Sequence, residues 1–382
     1  MTNIRRQLQF DLKNHNAILL LGPRKTGKST LLRQQFSDAY WVDLLLTEIR
    51  TQFTLHPEML RQIVEQKKPK KVVIDEIQKV PELLDEVHYC LENTKTTFIL
   101  CGSSARKLKK VASGVLGGRA ARYEFFPLTT KEIPDAQLEQ IFNQGLIPQH
   151  YLHKKPDRIL KSYIIDYLEE EIRQEATVKN LPSFSRFLET AALMNGELLN
   201  FKNVSSEAGV SANTVKAYYQ ILVDTLFGFY LPPWEKSQTR RMILTSKFYL
   251  FDCGVVRALK EFQPVLQGTM EAGKIFETFL INEIRAYLSY SAKFHSMFFW
   301  RTSTDLEVDL VVGRKPLLAI EFKCSNQVKD RDLKGLRAFL EENPLRHKIV
   351  VYCGKEELKT KDGIEILPWK TFCKRLWENE FL

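Results

Sequence analysis

An α/β fold opening on a parallel sheet is predicted for this chain, and three observations predict it. Short, uninterrupted apolar runs stand at Ala17–Leu21, at Val72–Ile74 and, after two threonines, at Phe98–Cys101, as in strands buried on both faces. Each run ends in glycine, acidic or hydroxyl residues, and the first leads through a glycine-bounded loop into a helical pattern. The 382 residues are also long enough for two or three domains of roughly 100–200 residues. With 44% hydrophobic and 27% charged residues, disordered, collagen-like and disulfide-miniprotein classes are excluded.

The first loop reads Gly22, Pro23, Arg24, Lys25, Thr26, Gly27, Lys28, Ser29, Thr30, and Leu31, Leu32 and Phe36 follow at helical spacing. This is G-x-x-x-x-G-K-[ST] between a strand and a helix, a phosphate-binding loop for ATP. Gly22 and Gly27 permit a tight turn whose N–H groups face phosphate, and the helix beginning near Lys28 adds its positive dipole end. Lys28 is expected on the β- and γ-phosphates, and Ser29 on Mg²⁺. The second run ends in Asp75 and Glu76. At the carboxyl end of a neighbouring strand, Asp75 would hold Mg²⁺ and Glu76 would orient the attacking water.

The third run leads to Gly102, Ser103 and Ser104, where a hydroxyl would sense the terminal phosphate or cap the helix opening near Arg106. Arg119, between Gly118 and the strand-like Tyr123–Phe126, is a candidate arginine finger, in cis or from a neighbouring copy, or else a surface arginine. The series GPRKTGKST, VVIDEIQKVPELL, CGSSARKL and LGGRAARYEFFPL resembles the AAA+ type ATPase core of a widespread group of bacterial and archaeal ATP-binding proteins. Those proteins carry a C-terminal domain of restriction-endonuclease-like fold, long labelled a domain of unknown function. The resemblance extends over nearly the whole chain and implies an ASCE-class ATPase with Lys28, Ser29, Asp75 and Glu76 in their usual roles. An ATPase domain is expected over 1–147.

A helical stretch follows, and within it Phe201–Leu222 reads as helix, turn at Gly209, and a second helix capped by Ser211 with Val215, Tyr218, Tyr219 and Leu222 as its apolar face. A helical lid and winged-helix region is expected over 148–245. DNA reading by Asn213, Thr214 and Lys216 competes with a purely structural role. Between Asn203 and Glu235 the only basic residue is Lys216, and groove reading normally draws on several phosphate contacts.

The last segment, 246–382, is expected as a restriction-endonuclease-like α/β domain. Two strands, Leu306–Val312 and Leu317–Lys323, are joined by a turn-rich connection. Alternation puts Glu321 and Lys323 on one face, and hairpin pairing brings Asp309 toward Glu321. Hard oxygen ligands at that spacing suit Mg²⁺ or Mn²⁺, with Lys323 orienting water or neutralising phosphate and Glu277, on the preceding helix, completing the metal shell. The order Glu277, Asp309, Glu321-x-Lys323 resembles the active site of PD-(D/E)XK nucleases.

The net charge of +10 is uneven: residues 1–130 hold 21 basic and 13 acidic side chains, 131–245 hold 13 and 14, and 246–382 hold 22 and 19. Arg106, Lys107, Lys109, Lys110, Arg119 and Arg122 form the densest basic stretch, with Lys67–Lys71 a second, and both suit a polyanion. No apolar run reaches the roughly 18 residues of a membrane span, and Met1–Arg6 lacks a signal-peptide pattern, so a cytoplasmic protein without a membrane partner is expected. The six cysteines, Cys90, Cys101, Cys253, Cys324, Cys353 and Cys373, form no C-x-x-C pair, which predicts reduced, mostly buried thiols. The expected function is ATP hydrolysis coupled to a Mg²⁺-dependent nuclease-like domain acting on DNA, with self-association a further expectation. The competing expectation is a nucleotide-driven switch or remodelling ATPase whose nuclease-like domain binds a protein or nucleic-acid partner without cutting.

Overall fold

The computed structural model describes residues 4–103, 116, 118–167, 180–234 and 242–382. They form two compact units, one of Arg5–Pro127 with Ile221–Phe227, the other chiefly of Leu128–Gln220 with Gly228–Leu382. The boundary expected at 147 therefore falls at Pro127, and the segments expected as separate domains share one unit. The reason is local: Leu146 N–H donates to the buried Asp252 carboxylate at 2.6 Å, and the helix Leu138–Gln144 packs on Cys253–Leu259.

In the first unit β1 (Ala17–Leu21), β2 (Tyr40–Asp43), β3 (Lys71–Asp75), β4 (Thr97–Gly102) and β5 (Ala120–Glu124) form one sheet in the order β2-β3-β4-β1-β5. Every pair is parallel. Helices α1 (Lys28–Gln35), α2 (Thr47–Leu55), α3 (Met59–Lys67) and α4 (Leu83–Asn93) lie in the crossovers. Strand β1 is buried at all five residues because a sheet covered on both faces leaves it no polar side. Leu19, Val42, Ile74 and Leu100 share one core with Val64 and Val87, and Leu226, from the short returning segment, joins it. Since all strands run one way, Gly22, Asp75, Glu76 and Ser103 emerge at one edge, where open α/β sheets bind ligands.

In the second unit the helices Phe201–Ala208 and Ala212–Asp224 flank Gly209, whose φ of 66° makes the expected turn. Ser211 Oγ accepts from Thr214 N–H at 3.1 Å, and Val215, Tyr218 and Tyr219 are buried. A two-stranded antiparallel sheet of β6 (Gly228–Leu231) and β7 (Lys247–Leu250) follows. The long helix Met270–Tyr290 then precedes β8 (Met297–Arg301), β9 (Glu307–Val312), β10 (Leu318–Lys323), β11 (His347–Tyr352), β12 (Leu358–Lys359) and β13 (Glu365–Pro368). These six strands form a mixed sheet in the order β12-β13-β11-β10-β9-β8, with β9 and β10 antiparallel and β10 and β11 parallel. Among the described residues no helix is long and apolar enough to cross a membrane.

Candidate functional site

The loop after β1 is shaped by what crosses it. Phe125 N–H donates to Leu21 O at 2.7 Å, which lays the Phe125 carbonyl against Gly22, and any Cβ there would collide with it. Gly27, at φ 95°, turns the chain into α1 through a conformation that L side chains rarely adopt. Between them Thr26 is fully buried and its hydroxyl donates to Pro23 O at 2.8 Å. Lys28 is buried, and its ammonium folds back to donate to Gly22 O at 2.8 Å and Pro23 O at 2.9 Å. Arg24 and Ser29 are half-buried, while Lys25 and Thr30 are exposed.

A brace that sequence reasoning missed holds this loop. Arg6 donates to Thr26 O at 2.6 Å, to Phe126 O at 2.7 Å and to Pro127 O at 3.1 Å, and its guanidinium lies 4.1 Å from the Phe125 ring centroid. Its partners stand 20 to 121 residues away, so no local pattern marked it. Arg6→Ala leaves three carbonyls without this donor and should destabilise the first unit by about 2 kcal/mol. Thermal melts would show the loss directly, together with weaker ATP binding; an unchanged melting temperature and affinity would remove Arg6 from the loop's support.

Asp75 ends β3 only 1% exposed, and neither carboxylate oxygen meets an N–H or O–H donor among the described residues. Beside it the Cys101 thiol is pushed well up, first by burial and then by the Asp75 charge. A buried carboxylate with no N–H or O–H donor is costly even beside a thiol, and a hard cation is the partner that fits it. Glu76 follows at φ 58°, an uncommon conformation for a side-chain-bearing residue. Its carboxylate accepts from Gln78 Nε2 and, at 3.4 Å, from the Ser103 hydroxyl, while Gln78 also donates to Ser103 Oγ at 3.1 Å. Strand β4 lies between β1 and β3, so Ser103 stands between the loop and the acid pair.

Arg119 is placed elsewhere. Strands β1 and β5 are in register from Ala17 with Ala120 to Leu21 with Glu124, so Arg119 stands at the amino edge while the loop leaves the carboxyl edge. At about 3.3 Å per residue the separation is roughly 20 Å, too far for a finger in cis. Arg119 instead donates to Glu92 at 2.7 Å. Of the basic stretch, Arg106, Lys107, Lys109 and Lys110 lie outside the described residues, as do Ser104 and Gly117. In the second basic run Lys71 pairs with Asp38 at 3.2 Å and Lys67 stacks 5.1 Å over Tyr40. Lys216 lies 5.5 Å over the Phe201 ring, and Asn213 is exposed.

In the second unit the β9–β10 pairing runs from Val312 with Leu318 to Leu310 with Ile320, which makes Asp309 and Glu321 the next opposed positions. Asp309 Oδ2 accepts from Phe322 N–H at 2.7 Å. Lys323 donates to Glu321 Oε1 at 2.7 Å, whereas the buried Glu321 Oε2 has no hydrogen-bond partner among the described residues. Burial, then the Glu321 and Glu277 charges, raises Asp309 well above the ordinary carboxylate range. Burial raises Glu321 to about 7 against the opposing pull of Lys323.

Glu277 lines the same cavity as Asp309 and Glu321 and already has a cationic partner. One of its carboxylate oxygens accepts from Lys247 at 3.1 Å and from the Tyr249 hydroxyl, and Lys247, 4% exposed, also pairs with Glu307 at 2.6 Å. Lys247 comes from β7, so a strand remote in sequence supplies the cation; no spacing rule marked it. Among the described residues no three His, Cys, Asp or Glu side chains are gathered closely enough to hold a metal ion. The cavity here, about 440 Å³, is lined by Lys247, Glu277, Glu307, Asp309, Glu321 and Lys323 among others.

Residues 14–134 match the family described as AAA domain. Residues 135–265 and 272–372 match two domains of unknown function, DUF8612 and DUF4143. No curated protein matches the chain. Among solved structures, the Walker-type ATPase PABY2304 of Pyrococcus abyssi is similar at 17% identity and a TM-score of 0.45, over 65% of this chain and 92% of that one. The Aeropyrum pernix ORC1 protein in complex with DNA is similar at 12% identity and a TM-score of 0.27, over 64% and 86%. The Signal Transduction ATPase with Numerous Domains protein PH0952 of Pyrococcus horikoshii, which has a tetratricopeptide repeat sensor, is similar at 14% identity and a TM-score of 0.22, over 76% and 48%. The AAA match and the all-parallel sheet with its phosphate-binding loop make the amino-terminal part an AAA-type ATPase core.

Proposed function

We propose that this protein hydrolyses ATP through Lys28, Ser29, Asp75 and Glu76 and couples that reaction to a nuclease-type site, Asp309, Glu321 and Lys323, acting on DNA. The observation that carries it is Asp75, a buried carboxylate beside the Cys101 thiol, with no N–H or O–H donor on either oxygen among the described residues, at the strand end that shares an edge with the loop. Lys28 exchanges the Gly22 and Pro23 carbonyls for the β- and γ-phosphate oxygens. The Ser29 hydroxyl and Asp75 would hold Mg²⁺, which when bound neutralises phosphate charge. Glu76, fixed by its backbone and by Gln78 and Ser103, orients the attacking water. A subunit-supplied Arg119 is the form of the finger hypothesis compatible with its position.

The DNA half is supported by the opposition of Asp309 to Glu321 and by Glu321 Oε2, without a hydrogen-bond partner among the described residues, which a divalent cation would satisfy. Lys323 then neutralises phosphate or orients water. In this reading 148–245 is the helical and winged-helix part and 246–382 the nuclease-like part of the second unit. Purified protein with Mn²⁺ and ATP should cut DNA, and Asp309→Ala should abolish cutting at least about 100-fold while ATP turnover persists. Single-stranded, duplex and branched DNA all left intact by wild-type protein would refute the nuclease half.

One observation favours a second reading. The Lys247 ammonium, held between Glu277 and Glu307, already supplies a cation to the carboxylate cluster. A nucleotide-driven switch that binds its partner without cutting fits that arrangement, and ATP-dependent DNA retention without cleavage is its signature.

A further inference from the structure

The six cysteines look scattered in sequence, yet the sheet of the second unit brings two together. Strands β10 and β11 are parallel, and their register ends at Lys323 with Tyr352, so Cys324 and Cys353 are the next facing positions. Their sulfurs lie 3.7 Å apart. Cys353 N–H donates to Ser325 O at 3.0 Å, which ties the two departing segments side by side. Neighbouring strands run about 4.8 Å apart, within the roughly 4.4–6.8 Å between Cα atoms that a disulfide spans. Both thiols are partly exposed, whereas Cys90, Cys101, Cys253 and Cys373 are buried.

We infer that Cys324 and Cys353 are a reversible dithiol and disulfide pair, a modification site for hydrogen peroxide set directly beside Lys323. The cavity and the sulfur contact together assign the roles: Cys324 lines the cavity beside Lys323, where a peroxide reaches it, and Cys353 is not among its lining residues. The Cys353 thiol donates toward Cys324, and this lowers the Cys324 pKa and raises that of Cys353. Cys324 is therefore the attacking sulfur, since the thiolate is the nucleophile. Its thiolate attacks one peroxide oxygen, the O–O bond breaks, and a sulfenic acid forms as hydroxide leaves and is protonated to water. Cys353 then attacks that sulfur, the S–O bond breaks, and a second water leaves with the Cys353 proton. The pair loses two electrons and one peroxide gains them; a thiol reductant reverses the change. Cys324 and Lys323 line the same cavity as Asp309 and Glu277, so the bond would fix the strand end that carries the lysine.

The test uses the full chain and hydrogen peroxide. Expected are a loss of two hydrogens in intact mass, two fewer titratable thiols after denaturation, a linked pair of peptides containing Cys324 and Cys353, and full reversal by dithiothreitol. Cys353→Ser should accumulate a sulfenic acid at Cys324 trapped by dimedone, and Cys90→Ser should behave as wild type. A gain of oxygen without linkage in the wild type, a bond to any other cysteine, or a disulfide between copies would overturn the pair. Because the readout is sulfur chemistry, it stands or falls independently of whether the protein cleaves DNA.

Discussion

Lys28→Ala should lower ATP turnover by about 10²–10³-fold, the range seen when one preorganised hydrogen-bond donor is removed from a developing anion. The position makes the effect specific. Lys28 is buried and its ammonium already sits within the loop, donating to Gly22 O and Pro23 O. ATP binding therefore asks the side chain to change partners rather than to become ordered. Removing it also strips two carbonyls of their donor, for a stability loss of about 1–3 kcal/mol. Lys28→Gln, which restores one donor without the charge, separates the two effects. Phosphate release under saturating ATP is the measurement, with melting curves alongside. A glutamine variant that is stable yet turns over within threefold of wild type would remove Lys28 from the reaction.

Asp75→Asn should abolish hydrolysis and at the same time stabilise the metal-free protein. A buried carboxylate with neither oxygen on an N–H or O–H donor carries a desolvation penalty that an uncharged amide carries to a smaller degree. The expected gain is about 1–3 kcal/mol, read as a rise of several degrees in melting temperature after chelation of divalent ions. Mg²⁺ with ATP should raise the wild-type midpoint and leave the variant's nearly still, since the bound pair stabilises only a protein able to hold it. A variant less stable than wild type under chelation, and equally responsive to Mg²⁺ with ATP, would show that Asp75 is structural. Function and stability are here set against each other at one side chain.

What the sequence made legible was local. The strand of five apolar residues, the loop from Gly22 to Thr30 and the alternation of Glu321 with Lys323 are patterns within a few residues, and β1, α1 and β10 realise them. Partners chosen by topology were not legible. Arg6 reaches carbonyls up to 121 residues away, Lys247 enters the acidic cluster from a different sheet, and Cys324 meets Cys353 because a helical crossover returns the chain in parallel. Arg119 shows the converse: its sequence neighbourhood left a finger in cis, a finger from a neighbouring copy and a surface arginine open, and parallel register sets it at the edge of the sheet opposite the loop. For Arg119 and the cysteine pair the deciding quantity is strand direction, which no short motif encodes.

The returning segment Ile221–Phe227 has a consequence for dissecting the molecule. Leu226 is 6% exposed within the core around Val42, Ile74 and Phe98, so the ATPase sheet takes part of its filling from a stretch that follows it by almost a hundred residues. Removing a buried leucine costs about 2–5 kcal/mol. A protease or a stop codon acting after Pro127 would thus release a fragment with a hole in it, and no single scission yields the catalytic half intact. Gene shuffling faces the same barrier: any recombinant that exchanges the carboxyl-terminal half must bring along a compatible seven-residue plug for a sheet encoded elsewhere.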